Sequence, residues 1–244
     1  MQRVFWISKK VILIGAAIVL VWLMIRFISG DSLHTSDLSS SQNQTIVTNG
    51  QEEETVADNI PINFESHQNP DNLTEELAQG GYVIVFRYTG AEKGTSQFPP
   101  ELIGQVIDDG QRISPTSIEM MLEYGNKIKQ LGIEIDHILS SEYFFVWQHA
   151  DAAFDLPIEI SRDLTGSLYF NNDKDLETSF QNLRNRVIGV PESGKSTVLF
   201  THQGKFDKAF GFYPSAGTTV IFKPDGSSIP QLIAVLSFEE FIQL

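Results

Sequence analysis

The sequence has no cysteine and is short of positive charge, with 17 Lys+Arg against 31 Asp+Glu in 244 residues. The first absence excludes disulfides, thiolate-held zinc or iron–sulfur centres and a cysteine nucleophile, so chemistry falls to His, carboxylates, hydroxyls, Lys or Arg. The second argues against nucleic acid as a partner, because that affinity comes mainly from Lys and Arg on phosphates. No metal site and no cofactor is expected. The charge is also uneven: residues 1–30 hold Arg3, Lys9, Lys10 and Arg26 without an acid, leaving −18 on residues 31–244, 13 basic against 31 acidic.

One long apolar run is present. Every residue from Val11 to Ile25 is apolar or Gly, and Phe27 and Ile28 continue it after Arg26. At 1.5 Å per residue, Val11 to Ile28 spans about 27 Å, close to the hydrocarbon thickness of a bilayer. Arg3, Lys9 and Lys10 precede the run and no Lys or Arg follows Arg26 until Arg87. Positive-inside bias then keeps the N-terminus cytoplasmic and places the rest outside the cytoplasm. Residues 1–30 are therefore expected to be a cytoplasmic stub and signal anchor spanning the cell membrane once. The alternative is a cleaved signal peptide, against which stand the length of the run and the poor cleavage site at Phe27-Ile28-Ser29-Gly30.

Residues 31–71 are rich in Ser, Thr, Asn and Gln, include Glu52, Glu53 and Glu54 in a row, and lack Lys, Arg, Trp and Tyr. Such a stretch buries too little apolar surface to fold alone and is expected to be a flexible acidic and polar linker, about 35 Å from end to end as a coil. His34 and His67 fall within it and are read as solvated.

From residue 72 to 244 the pattern is that of a folded domain. Leu73–Ala78 reads as a short helix, and Tyr82–Phe86 as a strand apolar on both faces, which suits a buried parallel sheet. Ser114-Pro115 supplies an N-cap and first-turn proline for a helix ended by Gly132. A strand at His137–Ser141, a helix at Tyr143–Phe154, a strand at Ile158–Ser161 and a helix at Leu176–Val187 follow. Further strands are expected at Thr197–Thr201, Thr218–Phe222 and Leu232–Leu236. Strands alternating with helices predict a three-layer α/β/α domain with a mainly parallel sheet.

Gly189-Val190-Pro191-Glu192-Ser193-Gly194-Lys195-Ser196 matches a phosphate-binding loop letter for letter. Such a loop must follow a strand and open a helix, so that free N–H groups cradle the phosphates. Here the helix comes first, and Glu192 would repel phosphate. The match is read as a helix-to-strand turn.

Three segments, in order, resemble the histidine phosphatase superfamily, with its phosphoglycerate-mutase-like fold. Gly80–Phe86 followed by Arg87-Tyr88-Thr89-Gly90 is similar to the opening strand and R-H-G motif. Gln111-Arg112-Ile113-Ser114, the following helix, and Leu131–Ser141 are similar to the R-x-L-[ST] motif, helix, second strand and S-S turn. Val198–Gly204 is similar to the late strand that ends in a catalytic histidine, with Tyr213-Pro214, Gly217 and Pro224-Asp225-Gly226 beyond it. The resemblance implies a phosphate pocket at the C-terminal ends of parallel strands. In that pocket one histidine is phosphorylated, two arginines and a second histidine hold the phosphoryl group, and a carboxylate protonates the leaving group.

The resemblance places Arg87 at the first arginine and His202 at the second histidine, so both are expected to bind phosphate. Tyr88 stands at the nucleophile position and Phe145 at the second arginine. A phenol has a pKa near 10 and is a poor nucleophile near pH 7 without strong activation. Loss of a guanidinium removes a contact worth a few kcal/mol to a transferring phosphoryl group. Glu92, Glu142 and Asp163 are the candidate proton donors, none distinguished by sequence, and His149 and His137 are read as structural. The domain is thus expected to be a catalytically impaired pseudoenzyme that binds phosphate or a phosphorylated ligand, or regulates. The alternatives are an active phosphomonoesterase with a rearranged site using His202, and an envelope interaction protein that uses the fold as a bare scaffold. An anion held by Arg87 and His202 should bind more tightly as pH falls toward 6 and the imidazole charges.

Overall fold

In the computed structural model, which describes residues 62–244, the alternating strands and helices build one sheet with helices on both faces. The order along the chain is α1 (Leu73–Leu77), β1 (Val83–Arg87), β2 (Ala91–Lys93), β3 (Gln111–Ile113), α2 (Pro115–Gln130), β4 (Ile135–Ser140) and α3 (Phe144–Ala153). It continues with β5 (Ile158–Ile160), α4 (Asp173–Val187), β6 (Ser196–Thr201), α5 (Gln203–Phe210), β7 (Thr219–Phe222), β8 (Leu232–Leu236) and α6 (Phe238–Gln243). The six-stranded sheet runs β5-β4-β6-β1-β7-β8, parallel from β5 to β1 and antiparallel at β7 and β8. β2 and β3 form a separate antiparallel hairpin.

Alternation along the strands divides the core. Ile84, Phe86, Ile138, Val198 and Phe200 pack with Met121 and Tyr124 of α2, Phe145 and Val146 of α3, and Phe241 of α6. Val83, Val85, Leu139, Leu199 and Val220 face the other way, against Phe180 and Leu183 of α4 and Phe206 of α5. Each such buried Leu, Val or Phe contributes about 1.5–3 kcal/mol relative to exposure. This is the three-layer, mainly parallel α/β/α arrangement that the pattern predicts.

Local signals set the elements. Ser114 caps α2 by accepting the Ser117 N–H at 3.2 Å, with Pro115 in the first turn. Within α2, Gly125 lets α3 approach so closely that a Cβ there would lie 1.8 Å from the Ala153 carbonyl oxygen. Between α4 and β6, residues 189–195 form the expected turn, a helix leading into a strand, with Lys195 paired to Glu192 at 2.7 Å.

Two features go beyond the sequence reading. Residues 62–71, taken as the end of the linker, pack on the domain. Phe64 is buried, stacked on Phe212 with ring centroids 4.8 Å apart and edge-on to Phe206 and Phe222. Nor is His67 solvated, since its Nε2 donates to the Ile233 carbonyl at 2.7 Å. The Asn69 amide pairs with both backbone groups of Val235, accepting its N–H at 2.9 Å and donating to its C=O at 3.1 Å. Among the described residues, no helix is long and apolar enough to cross a membrane. The Val11–Ile28 run and the linker up to residue 61 lie outside those residues.

Candidate functional site

β1 and β6 pair in parallel with Arg87 opposite Thr201, so Arg87 ends one strand where His202 follows the other. The crossover topology thereby brings to one sheet edge two residues that are far apart in the chain. Such an edge, at the carboxyl ends of parallel strands, is where ligands of open α/β sheets bind.

Tyr88 fills the space beside both. Its ring centroid lies 4.3 Å from Arg87 Cζ and 5.2 Å from the His202 ring, with Phe145 edge-on at 5.0 Å and His149 at 5.7 Å. Phe145 also meets His202, at 5.9 Å, and Tyr143 lies 5.5 Å from it. Where the resemblance implies a phosphate held by charge, aromatic rings therefore touch one another. Burial raises the Tyr88 hydroxyl above its ordinary pKa, an effect the neighbouring Arg87 only partly offsets, so the phenol stays protonated.

Arg87 is turned toward the protein. Its Nε donates to Gln203 Oε1 at 2.8 Å, and Nη1 donates to the carbonyls of Tyr88 and of Thr89, the latter at 2.9 Å. Among the described residues, Nη2 alone of the three guanidinium nitrogens has no hydrogen-bond partner.

Both histidines at the site are buried and neutral. His149 Nδ1 donates to the Phe145 carbonyl at 2.6 Å, which fixes the tautomer and leaves Nε2 to accept the Thr89 hydroxyl at 3.0 Å. Burial, with a smaller contribution from Arg87, lowers its pKa to about 4. This is the structural role read from sequence, with Thr89 as a further partner. His202 Nε2 pairs with the buried Ser141 Oγ at 2.9 Å, and Ser141 also accepts the Tyr143 N–H at 3.2 Å. Burial first, then the charges of Arg87 and Lys205, push His202 down to about 3. It stays neutral at pH 6, so the expected second positive charge does not arise there, and anion binding should not tighten between pH 8 and 6 on its account.

The candidate proton donors separate in space. Asp163 is held by Arg186 at 2.8 Å and lines a cleft of about 650 Å³ beside α4, together with Asp136 and Glu159. Glu92 is on the β2–β3 hairpin, exposed. Glu142 lies next to Ser141, but its carboxylate is taken by Arg162 at 3.2 Å and by the Thr165 hydroxyl at 3.1 Å. No cluster of three or more potential metal ligands occurs among the described residues. Thr89 and Gln203 join the site from within the segments that carry Arg87 and His202, although sequence assigned them no role, and Gly166 joins it with no sequence signal.

No protein-family model matches the sequence, and no curated protein is similar to it in sequence. Solved structures do resemble it. The protein histidine phosphatase SixA complexed with tungstate is 15% identical, with a TM-score of 0.46 over 64% of this chain and 97% of that one. The alpha-ribazole phosphatase of Shigella flexneri is 12% identical, with a TM-score of 0.41 over 64% and 96%. A phosphoserine phosphatase of Entamoeba histolytica is 13% identical, with a TM-score of 0.41 over 66% and 98%. At such identities the likeness is one of fold and says nothing of activity.

Proposed function

We propose that this chain is a membrane-tethered, histidine-phosphatase-like module held outside the cytoplasm, whose phosphoryl-transfer site no longer works and which serves as a binding or regulatory domain. The observation that carries this reading is the Tyr88 ring, packed against Arg87, Phe145 and His202 where a nucleophile and a phosphoryl group would meet. A protonated phenol is a poor nucleophile, and one guanidinium with a single unused nitrogen leaves a transferring phosphoryl group under-neutralised. The tether and its orientation are supported by the Val11–Ile28 run and by the absence of Lys and Arg between Arg26 and Arg87.

The test is hydrolysis of a simple aryl phosphate by the full chain in detergent. No turnover above a Tyr88→Ala control is expected, and Tyr88→His combined with Phe145→Arg should raise it. Robust wild-type turnover that vanishes in His202→Ala would instead establish a rearranged phosphomonoesterase. The three donors that Arg87 spends on protein acceptors favour a second reading, a scaffold without a ligand. Thermal shift by sulfate, lost in Arg87→Ala for a binding module and unchanged for a scaffold, separates the two.

A further inference from the structure

One stretch of chain closes off His202, and little ties it down. Between the fully buried Thr165 and Asn172, the N-cap of α4, residues 166–171 make one backbone hydrogen bond, Tyr169 N–H to the Gly166 carbonyl at 3.2 Å, and none to the rest of the described domain. Both ends are fixed. Thr165 Oγ1 donates to the Glu142 carboxylate and accepts the Glu142 N–H, each at 3.1 Å, while Asn172 Oδ1 accepts the Asp175 N–H at 2.9 Å.

Side-chain contacts hold the middle. The Tyr169 ring rests on Tyr143 with centroids 4.0 Å apart, and Phe170 lies 4.8 Å from the Arg162 guanidinium and 4.5 Å from the Lys205 ammonium. Leu168 is 91% exposed and contributes no packing. Segments with few buried contacts and few hydrogen bonds are those that open locally below the cost of global unfolding.

Gly166 is the part that meets the imidazole: a Cβ there would stand 3.2 Å from His202 Nδ1. Among the described residues, His202 Nε2 pairs with Ser141 and Nδ1 pairs with none. Gly166 packs over that side of a ring that is 7% exposed, and lifting the stretch would open it fully to water or to an anion.

We propose that Gly166–Phe170 is a lid on His202, opening between fixed ends at Thr165 and Asn172 while the sheet and its helices stay folded. The proposal rests on the preceding reading only in taking His202 as the place a ligand would reach. Its test reads access rather than turnover, so the two fail separately.

Because the chain has no cysteine, a lock can be introduced without side reactions. A Cβ on Gly204 would lie 3.3 Å from Ser167 Oγ, which suits a disulfide in the double variant Ser167→Cys, Gly204→Cys. The full chain in detergent is labelled with diethyl pyrocarbonate, and each histidine is followed by mass spectrometry. His137, half exposed, is the open reference, and His149, fully buried, is the closed one. In the wild type, His202 should label faster than His149. Oxidising the double variant should bring His202 down to the His149 rate, and reduction should restore it. Tyr169→Ala, which removes the contact with Tyr143, should speed His202 labelling roughly fivefold or more while His149 stays protected. Equal His202 labelling in the oxidised and reduced double variant overturns the lid. So does a rise at His149 that matches the rise at His202 in Tyr169→Ala.

Discussion

Two imidazoles buried at the same sheet edge make the domain sensitive to acid. His149 and His202 have folded pKa values of about 4 and about 3, against about 6.5 in an unfolded chain. As pH falls below 6.5 the unfolded chain takes up these protons first, so the stability that comes from keeping both rings neutral is complete above 6.5 and is lost toward 4 and then 3. Thermal unfolding should therefore drop by roughly 5 °C or more between pH 6.5 and 4.5. His149→Gln should flatten that slope whatever it does to stability at pH 7, and an unchanged slope would mean that His149 is not buried neutral. Arg87 and His202 could be picked out beforehand because each follows an apolar strand in a familiar motif. The groups that meet them, Gln203 on the Arg87 side and Gly166 on the His202 side, could not be given that role, since they approach through tertiary packing.

At the scale of elements, legibility followed the length of the apolar pattern. β1 carries the apolar run Val83–Phe86, β4 and β6 carry the shorter Ile138-Leu139 and Val198–Phe200, and α2 and α4 have capped amphipathic repeats of 16 and 15 residues, so all were readable. α5 was not, because Gly204 and Lys205 sit inside its first turns and Lys205, although polar, is fully buried between Phe170 and Phe180. The C-terminal α6 had a usable signal in Ser237 and Glu240, which form a reciprocal capping box. β2 and β3 are three residues each and separated by a long Gly- and Pro-containing loop, so neither shows a period. Phe64 and Asn69 are single informative residues in a polar stretch, too sparse to shift a reading based on composition.

For the whole molecule, the −18 carried by residues 31–244 and the apolar N-terminal run set the expected topology. Protease added to intact cells or spheroplasts should cut before residue 62, since the residues from Phe64 onward are packed, and should leave a membrane-held stub. A domain protected until the membrane is opened would reverse the orientation. The pairing of Asn69 and His67 with β8 has a consequence for copies of this domain at high local concentration. β8 is the last strand of its sheet, and those two side chains occupy the Ile233 carbonyl and both backbone groups of Val235. A chain begun at residue 72 would leave these groups open as a template for a neighbour's strand. It is expected to self-associate in light scattering at concentrations where a chain begun at residue 62 does not. In that outcome residues 62–71 act as a guard on the β8 edge, stopping copies from merging their sheets into one polymer.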